Sequence, residues 1–175
     1  MNPKLYWIKT PLPGKLAVSA RPRGGDWLED EIEGWRRAGI DAVVSLLTDQ
    51  ESDDMQLQQE ASLSRAHGIR FLSLPIEDRN VPGSLSEASA VVTTINEMLL
   101  RGTNVAIHCR QGIGRSGIIA AAVLTATGMT PQAALNRVSE ARCLPVPETD
   151  QQREWVLEFE HQATGSRPSL RVPMK

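Results

Sequence analysis

The chain has 175 residues and a formal net charge of −2, with 19 lysine and arginine residues against 21 aspartate and glutamate residues. This length predicts one domain with a single core, and the charge balance excludes a general attraction to nucleic acid or to an anionic membrane. Two cysteines are too few for a disulfide framework, which favours a reducing, cytoplasmic compartment. The longest mostly apolar stretch, 118–126, is far shorter than the roughly 20 residues of a membrane span, and the N-terminus lacks a signal-peptide pattern.

The first half of the chain alternates strand and helix patterns. The predicted elements are a strand at 16–19, a loop at 21–26, an amphipathic helix at 27–38, a buried strand at 42–47, a helix at 53–67 and a strand at 69–74. The alternation predicts βαβ units, in which neighbouring strands are parallel and helices cover the sheet.

The second half of the chain begins with a polar loop at 75–83 and a long amphipathic helix. Ser84 and Glu87 form a capping-box pattern at the start of this helix, which ends near Gly102. The remaining predicted elements are a strand at 105–108, a glycine-rich segment at 109–117, and helices at 118–127, 131–141 and 150–163. We therefore predict a single α/β domain over 1–164, with a mainly parallel central sheet flanked by helices, and a flexible C-terminal tail over 165–175.

The glycine-rich segment directly follows a predicted central strand, where ligands bind in open α/β sheets. It reads His108-Cys109-Arg110-Gln111-Gly112-Ile113-Gly114-Arg115-Ser116-Gly117. Its backbone N–H groups and the following helix N-terminus suit a phosphate, and the planar guanidinium of Arg115 can donate two hydrogen bonds to that phosphate. The same positive surroundings would favour the thiolate form of Cys109, which is the nucleophilic form.

Other interpretations of this segment are less complete. Gly112, Gly114 and Gly117 match a dinucleotide-binding pattern in form, but a second strand with an acidic residue does not follow. The Walker pattern lacks its Gly-Lys-Ser/Thr triplet. His108 and Cys109 are adjacent on a strand and point to opposite faces, so we expect neither a metal nor a cofactor. Taken alone, Cys109 could also be a small buried apolar residue.

The segment 108–117 resembles the H-C-x5-R-S/T-G signature of the cysteine-dependent protein tyrosine phosphatase superfamily, and the short chain resembles its compact dual-specificity branch. The resemblance implies a phosphomonoester hydrolase that forms a cysteinyl-phosphate intermediate without a metal. It implies that Cys109 attacks phosphorus and that the hydroxyl of Ser116 stabilises the departing thiolate. The residues implied to bind the substrate phosphate are Arg110, Gln111, Gly112, Ile113, Gly114 and Arg115.

The leaving oxygen needs a proton from a general acid on another loop. Asp78 is the predicted acid, because it follows a predicted strand and because 75–78 is similar to the acid loop of compact family members. Glu77 is the competing candidate, and a purely turn-forming role for Asp78 near Pro82 remains open. The acidic run at 49–54 is interpreted as a solvated face with helix caps.

Three further residues have roles that the sequence leaves open. Gln152 resembles the family's water-positioning glutamine, but it also forms a capping-box pattern with Thr149, and Gln151 is a weaker alternative. His108 is expected to form a hydrogen bond within the loop and to tune Cys109. Cys143 is interpreted as a buried structural cysteine in preference to a redox partner.

Superfamily members that act on inositol lipids often carry lysines in this loop, and the segment 108–117 has none. The resemblance therefore favours phosphotyrosine-type phosphomonoesters as substrates. Arg110 could contact a second anionic group or extend into solvent. The alternatives are a phosphatase of phosphoinositides or other non-protein phosphates, a non-catalytic phosphate-binding member, and a sulfur-transfer or arsenate-reducing enzyme. The expected partners are phosphorylated proteins or small phosphomonoesters, without nucleic acid, and a monomer is expected.

Overall fold

The computed structural model describes residues 3–165 of the chain, with side chains described as far as residue 159. The strands are β1 (Tyr6–Ile8), β2 (Leu16–Ala20), β3 (Ala42–Ser45), β4 (Arg70–Ser73) and β5 (Val105–Cys109). The α-helices are α1 (Leu28–Arg37), α2 (Asp49–Asp54), α3 (Glu60–Ala66), α4 (Leu85–Leu100), α5 (Gly114–Ala126), α6 (Pro131–Arg142) and α7 (Asp150–Gly165). A 3₁₀ turn, Gly25–Trp27, precedes α1. Of the predicted tail, residues 166–175 lie outside the described residues.

The strands form one sheet in the order β1-β2-β5-β3-β4. β5 lies in the middle and pairs in parallel with both β2 and β3, while β3 pairs in parallel with β4. Only the edge strand β1, which was not predicted, runs antiparallel to its neighbour within this sheet. The mainly parallel α/β sheet predicted from the sequence is therefore confirmed, and the carboxyl end of β5 lies between those of β2 and β3.

Helices cover both faces of the sheet. One apolar cluster joins Val44 and Ile107 to residues of α4, α5, α6 and α7, and the second joins Val43 and Ala106 to residues of α1. Successive strand residues belong to opposite clusters, because side chains alternate between the faces of a strand. No helix in residues 3–165 is long and apolar enough to cross a membrane.

The predicted helix at 53–67 is wrong in one respect, because the structure contains two helices in this region. Thr48 and Glu51 form a complete capping box that starts α2 at Asp49. The chain then turns at Gln56, whose φ is +56°, and Leu57 is buried in the second cluster before α3 begins. The break between α2 and α3 directs the side chain of Leu57 into the second apolar cluster.

Candidate active site

The glycine-rich segment is held between the centre of the sheet and α5, a helix that is buried from Gly114 to Thr125. β5 ends at Cys109, and α5 begins at Gly114, four residues earlier than the predicted start at 118. Gly112 has φ of +70°, and a Cβ atom built on it would overlap the carbonyl group of Ser19 in β2. The loop can therefore follow this path only with glycine at 112.

Cys109 is the last residue of β5, directly before the loop, and is 3% exposed. The backbone N–H of Gly112 donates to its Sγ atom over 3.3 Å, and the Ser116 Oγ atom lies 3.4 Å from the same sulfur. The structure thus brings together the predicted nucleophile and the predicted hydroxyl. When the sulfur is a thiolate, both groups can donate to it and stabilise its negative charge.

Arg115 is 1% exposed and is fixed by a bidentate contact with Glu51. Its Nη1 atom donates to Glu51 Oε2 over 2.6 Å and to the Ile76 carbonyl oxygen over 2.8 Å. Its Nη2 atom donates to Glu51 Oε1 over 2.9 Å and to Asp78 Oδ1 over 2.9 Å. These contacts can use all four Nη hydrogens, so a phosphate bound in bidentate fashion must replace at least one of them.

The charges around Arg115 shift the pKa values of this ion pair. Burial lowers the pKa of Arg115, but the hydrogen bond with Glu51 and the negative charges of Cys109, Glu51 and Asp78 outweigh burial and raise it. Burial likewise raises the pKa of Glu51, but the hydrogen bonds from Arg115 and Thr48 outweigh burial and lower it. Both groups are therefore held in their charged forms.

Glu51 was not identified from the sequence as part of the site. The acidic run at 49–54 is interpreted from the sequence as a solvated face with helix caps; Glu51 does cap α2, but it is not solvated, because its carboxylate forms the ion pair with Arg115. The sequence does contain one relevant signal, the Thr48-x-x-Glu51 capping pattern directly after β3. That pattern places Glu51 at the carboxyl edge of the sheet, where the site lies.

Asp78 and Glu77 are separated by their positions relative to the cleft. A cleft of about 150 Å³ is lined by Asp78, Arg79, Cys109, Arg110, Gln111, Arg115 and Glu148. Glu77 is exposed and is not among the lining residues. Of the two candidates, Asp78 is therefore the one that shares the cleft with Cys109, and a second carboxylate, that of Glu148, lines the same cleft. Ile113, one of the residues predicted to bind phosphate, is half-buried and packs against the apolar cluster that contains Val44 and Ile107.

Gln152 is completely buried and joins two loops. Its Oε1 atom accepts from the backbone N–H of Glu148 over 3.1 Å, and its Nε2 atom donates to the Asn80 carbonyl oxygen over 3.0 Å. Its own backbone N–H donates to Thr149 Oγ1 over 3.2 Å. The inward orientation of Gln152 is confirmed. Of the predicted capping box with Thr149, only the hydrogen bond from the Gln152 backbone N–H is formed in the described residues. Gln151, the weaker alternative, is exposed.

His108 and Cys143 differ from their predicted environments. His108 Nε2 lies 2.8 Å from Glu60 Oε1 on the α3 side of the sheet, and His108 Nδ1 has no hydrogen-bond partner among the described residues. The predicted hydrogen bond within the loop is therefore not formed, because the side chain of His108 points away from that of Cys109. Cys143 is exposed, not buried, because it follows the last residue of α6 in a left-handed conformation.

Arg142 supports the loop from α6 and was not predicted. Its Nε atom donates to the Gly112 carbonyl oxygen over 2.6 Å, and its Nη2 atom donates to the Gln111 carbonyl oxygen over 3.4 Å. The guanidinium carbon lies 3.8 Å from the ring centre of Tyr6 in β1. By holding these carbonyl groups, Arg142 fixes the orientation of the peptide units on one side of the loop.

The comparisons with known protein families and with solved structures agree on one family. A family model described as "Polymorphic toxin system, DSP-PTPase phosphatase" matches residues 18–129. No curated protein sequence matches the chain. The structure of Tk-PTP in its active form is 31% identical, with 93% of this chain and 99% of that chain covered and a TM-score of 0.76.

Two more distant structures show the same fold. Kinase associated phosphatase (KAP), in a form whose catalytic-site cysteine is replaced by serine, is 19% identical over 94% of this chain and 97% of that chain, with a TM-score of 0.86. PTPMT1 is 17% identical over 91% of this chain and 96% of that chain, with a TM-score of 0.71. The family match and the likeness to Tk-PTP extend over most of the chain. The protein is therefore a phosphatase of the DSP-PTPase family, a compact dual-specificity-like member of the cysteine-dependent protein tyrosine phosphatase superfamily.

Proposed function

We propose that the protein hydrolyses phosphomonoesters through a cysteinyl-phosphate intermediate, with Cys109 as the nucleophile and Asp78 as the general acid. The observation that carries the proposal is the meeting of Cys109, Arg115 and Asp78 in one cleft, where Gly112 N–H and Ser116 Oγ lie against the sulfur. Phosphate binding alone would not require an activated thiol or a carboxylic acid beside it.

In the first step, the Cys109 thiolate attacks phosphorus and the bond from phosphorus to the ester oxygen breaks. The protonated carboxyl group of Asp78 gives its proton to that oxygen, so the leaving group departs as a neutral alcohol or phenol. The phosphoryl group becomes bonded to sulfur. Arg115 and the backbone N–H groups of the loop neutralise the charge on its oxygens.

In the second step, water attacks the phosphorus and the bond from phosphorus to sulfur breaks. The Asp78 carboxylate takes a proton from the water, which restores the acid and produces inorganic phosphate. The thiolate of Cys109 departs, and the Ser116 hydroxyl and the Gly112 N–H stabilise it. Gln152 connects the 75–83 loop to the start of α7, so it is proposed to position this loop and the attacking water.

Phosphotyrosine-type esters are the proposed substrates. Cys109 lines the cleft and is only 3% exposed, so a phosphate held far from its carrier has the easier approach to the sulfur. A tyrosine ring holds a phosphate farther from the peptide backbone than the side chain of serine does. The thiolate also requires a reducing compartment such as the cytoplasm, because oxidation would block it.

Hydrolysis of a chromogenic aryl phosphate in the presence of EDTA tests this mechanism. We expect wild-type protein to turn over the ester, Cys109→Ser to lose about a thousandfold or more of the rate, and Cys143→Ser to retain the wild-type rate. Cys143→Ser is a matched control, because that thiol is exposed and lies outside the cleft. Equal rates for Cys109→Ser and wild type would refute the nucleophile assignment.

Trapping of the intermediate is a more direct test. Wild-type protein is quenched during turnover of an ester whose phosphate is radiolabelled. It is expected to carry the label on Cys109, and Cys109→Ser is expected to carry none. A rapid burst without labelled protein would contradict the cysteinyl-phosphate step. A substrate panel of phosphotyrosine, phosphoserine and phosphoinositide compounds then decides the ester class, and PTPMT1, a fold relative crystallised with PI(5)P, justifies including the lipid.

A further inference from the structure

A second cleft opens at the carboxyl ends of β3 and β4 and shares no lining residue with the catalytic cleft. It has a volume of about 290 Å³ and is bounded by these two strands, α2 and the start of α3. No lysine, arginine or histidine lines this cleft in the described part of the chain. We call it the acidic cleft, because its polar lining includes the side chains of Ser45, Asp49, Ser52, Asp53, Glu60 and Ser73.

The carboxylates of the acidic cleft have unused acceptor capacity. Asp49 and Asp53 are exposed, lie one helical turn apart in α2, and form no side-chain hydrogen bond or ion pair with the described residues. Glu60 is 2% exposed, and its Oε1 atom lies 2.8 Å from Nε2 of His108. Its Oε2 atom has no partner among residues 3–159. A carboxylate removed from water is costly unless it is paired, so a donor in the cleft would stabilise Glu60.

Ser45 is an independent indication that this cleft takes a ligand. It is the last residue of β3, is 3% exposed and lines the cleft. Its hydroxyl group has no hydrogen-bond partner within the described residues. In the sheet it lies opposite His108 of β5 and Ser73 of β4, so its side chain shares the face on which Glu60 contacts His108. Because buried hydroxyl groups are normally hydrogen-bonded, this one is available to a molecule in the cleft.

The lining favours an organic cation over a metal ion. The described residues contain no group of three histidine, cysteine, aspartate or glutamate side chains that could hold a metal ion. The oxygen acceptors instead border an elongated space together with the apolar side chains of Leu57 and Phe71. An ammonium or guanidinium group offers several N–H donors to carboxylate and hydroxyl oxygens, while the carbon chain or planar face of the same molecule can contact the Phe71 ring.

We propose that the acidic cleft binds a small organic cation of the alkylammonium or alkylguanidinium class. The cationic group donates hydrogen bonds to Glu60 Oε2 and to the hydroxyl oxygen of Ser45, and the carboxylates of α2 contribute a negative potential at the entrance. This site is separate from the hydrolysis proposed at Cys109 and does not depend on it. It adjoins the catalytic loop, because Glu60 contacts the side chain of His108, the residue directly before Cys109.

Isothermal titration calorimetry with n-butylammonium chloride and with ethylguanidinium chloride, at constant ionic strength, tests the site. We expect each cation to bind with a Kd of about 1 mM or lower. n-Butanol and N-ethylurea have similar sizes but no charge, and they are expected to bind at least about tenfold more weakly. The same affinities are expected for Cys109→Ser, so the result is independent of turnover.

The Ser45→Ala/Asp49→Asn double variant removes one hydroxyl group and one charge from the cleft. Neither side chain has a partner in the described residues, so the variant should keep the wild-type midpoint of thermal unfolding. Its affinity for both cations should fall by about tenfold. Asp54→Asn is the matched control and should keep the wild-type affinity, because Asp54 is an exposed carboxylate of the same helix that does not line the acidic cleft.

The imidazole ¹⁵N resonances of His108 locate the bound cation. A cation on Glu60 should weaken the contact between Glu60 and His108, so these resonances should shift along the same titration curve as the calorimetric signal. Glu60→Gln should abolish measurable binding. If Glu60→Gln has a lowered midpoint of thermal unfolding, the double variant provides the comparison instead.

The proposal is supported when the cations bind, the neutral analogues bind more weakly, and the double variant loses affinity. It would be overturned by equal binding of the neutral analogues, by unchanged affinity in the double variant, or by His108 resonances that stay constant at saturation. Displacement of either cation by an equal concentration of calcium chloride would show a metal site, and would overturn the assignment to an organic cation.

Discussion

Arg115 and Asp78 share a hydrogen bond of 2.9 Å, although the two residues have different proposed tasks. The side chain of Arg115 is 1% exposed and is fixed by Glu51, whereas the side chain of Asp78 is 51% exposed. When a phosphate dianion approaches Arg115, the partner that can move is therefore Asp78. Displacement by the substrate would release the carboxyl group from the guanidinium and let it approach the leaving oxygen, where a proton is needed.

Substitution of Asp78 by alanine is expected to separate binding from turnover. The general acid would be lost, so kcat for an aryl phosphate should fall by about 10²- to 10⁴-fold. KM should stay constant or fall, because the carboxylate that competes with phosphate for Arg115 is also removed. Steady-state kinetics measure both quantities.

Glu77→Ala is the matched control for Asp78→Ala, since Glu77 is the exposed neighbouring carboxylate outside the cleft. It should retain the wild-type kcat. A large decrease of kcat in Glu77→Ala together with normal turnover by Asp78→Ala would mean that the acid has been assigned to the wrong residue.

Substitution of Glu51 by glutamine is expected to destabilise the protein and to impair catalysis. Arg115 would remain buried without its ionic partner, which should lower the free energy of unfolding at pH 7 by roughly 3 kcal/mol. A less firmly held guanidinium should also lower kcat/KM. Urea unfolding and aryl phosphate kinetics measure the two effects, and Asp53→Asn, an exposed carboxylate change in the same helix, should alter neither.

The Glu51 ion pair also predicts a dependence of stability on pH. The folded state lowers the pKa of Glu51 below its ordinary value of 4.5, so unfolding takes up protons when the pH is below that value. The stability from this group is therefore fully present above about pH 4.5 and is lost as the pH falls through the lower folded pKa. The difference in unfolding free energy between wild type and Glu51→Gln should narrow as the pH falls below about 4.5. A constant difference would contradict the assigned shift.

The sequence pattern is sufficient to predict the centre of the sheet and the loop after β5, because these features depend on contiguous residues. The role of Ser116 beside Cys109 is implied by the resemblance to the phosphatase superfamily, and Asp78 is predicted both from that resemblance and from its position after a strand. The contacts of Glu51 with Arg115 and of Glu60 with His108 are not predicted, because they join residues far apart in the chain that come together only in the folded protein.

Arg142 was overlooked for a different reason. It binds backbone carbonyl groups of Gln111 and Gly112, and every residue except proline offers the same pattern of backbone groups. No residue type at the loop therefore indicates that an arginine is required 30 positions later. The ring of Tyr6, in a strand of three residues, completes this contact from the other end of the chain.

Replacement of Arg142 by lysine tests whether the guanidinium fork supports the loop. Lysine keeps the charge, but it cannot donate in a fixed fork to the loop carbonyls while stacking on Tyr6. We expect kcat/KM for an aryl phosphate to fall by about tenfold, because a loss of about 1 to 2 kcal/mol accompanies a buried carbonyl that loses its partner. Arg137→Lys is the control on the same helix, since Arg137 is half-buried and donates to the Lys9 carbonyl oxygen instead of to the loop. Full activity of Arg142→Lys would show that charge alone is sufficient.

Gly112→Ala is expected to disrupt the loop more severely than any surface change. The added methyl group would overlap the backbone of Ser19, and φ of +70° is itself unfavourable for alanine, so the loop must move away from β2. Such a movement shifts the Gly112 N–H from the sulfur of Cys109, and we expect kcat/KM to fall by about a hundredfold or more. Gly83→Ala is the matched control, because no atom lies within 4 Å of a Cβ atom there. Aryl phosphate kinetics and thermal unfolding should show a loss of activity in Gly112→Ala that exceeds its loss of stability, and near-wild-type behaviour in Gly83→Ala. If Gly112→Ala retained full activity, the close contact between the loop and β2 would not be needed to position Cys109.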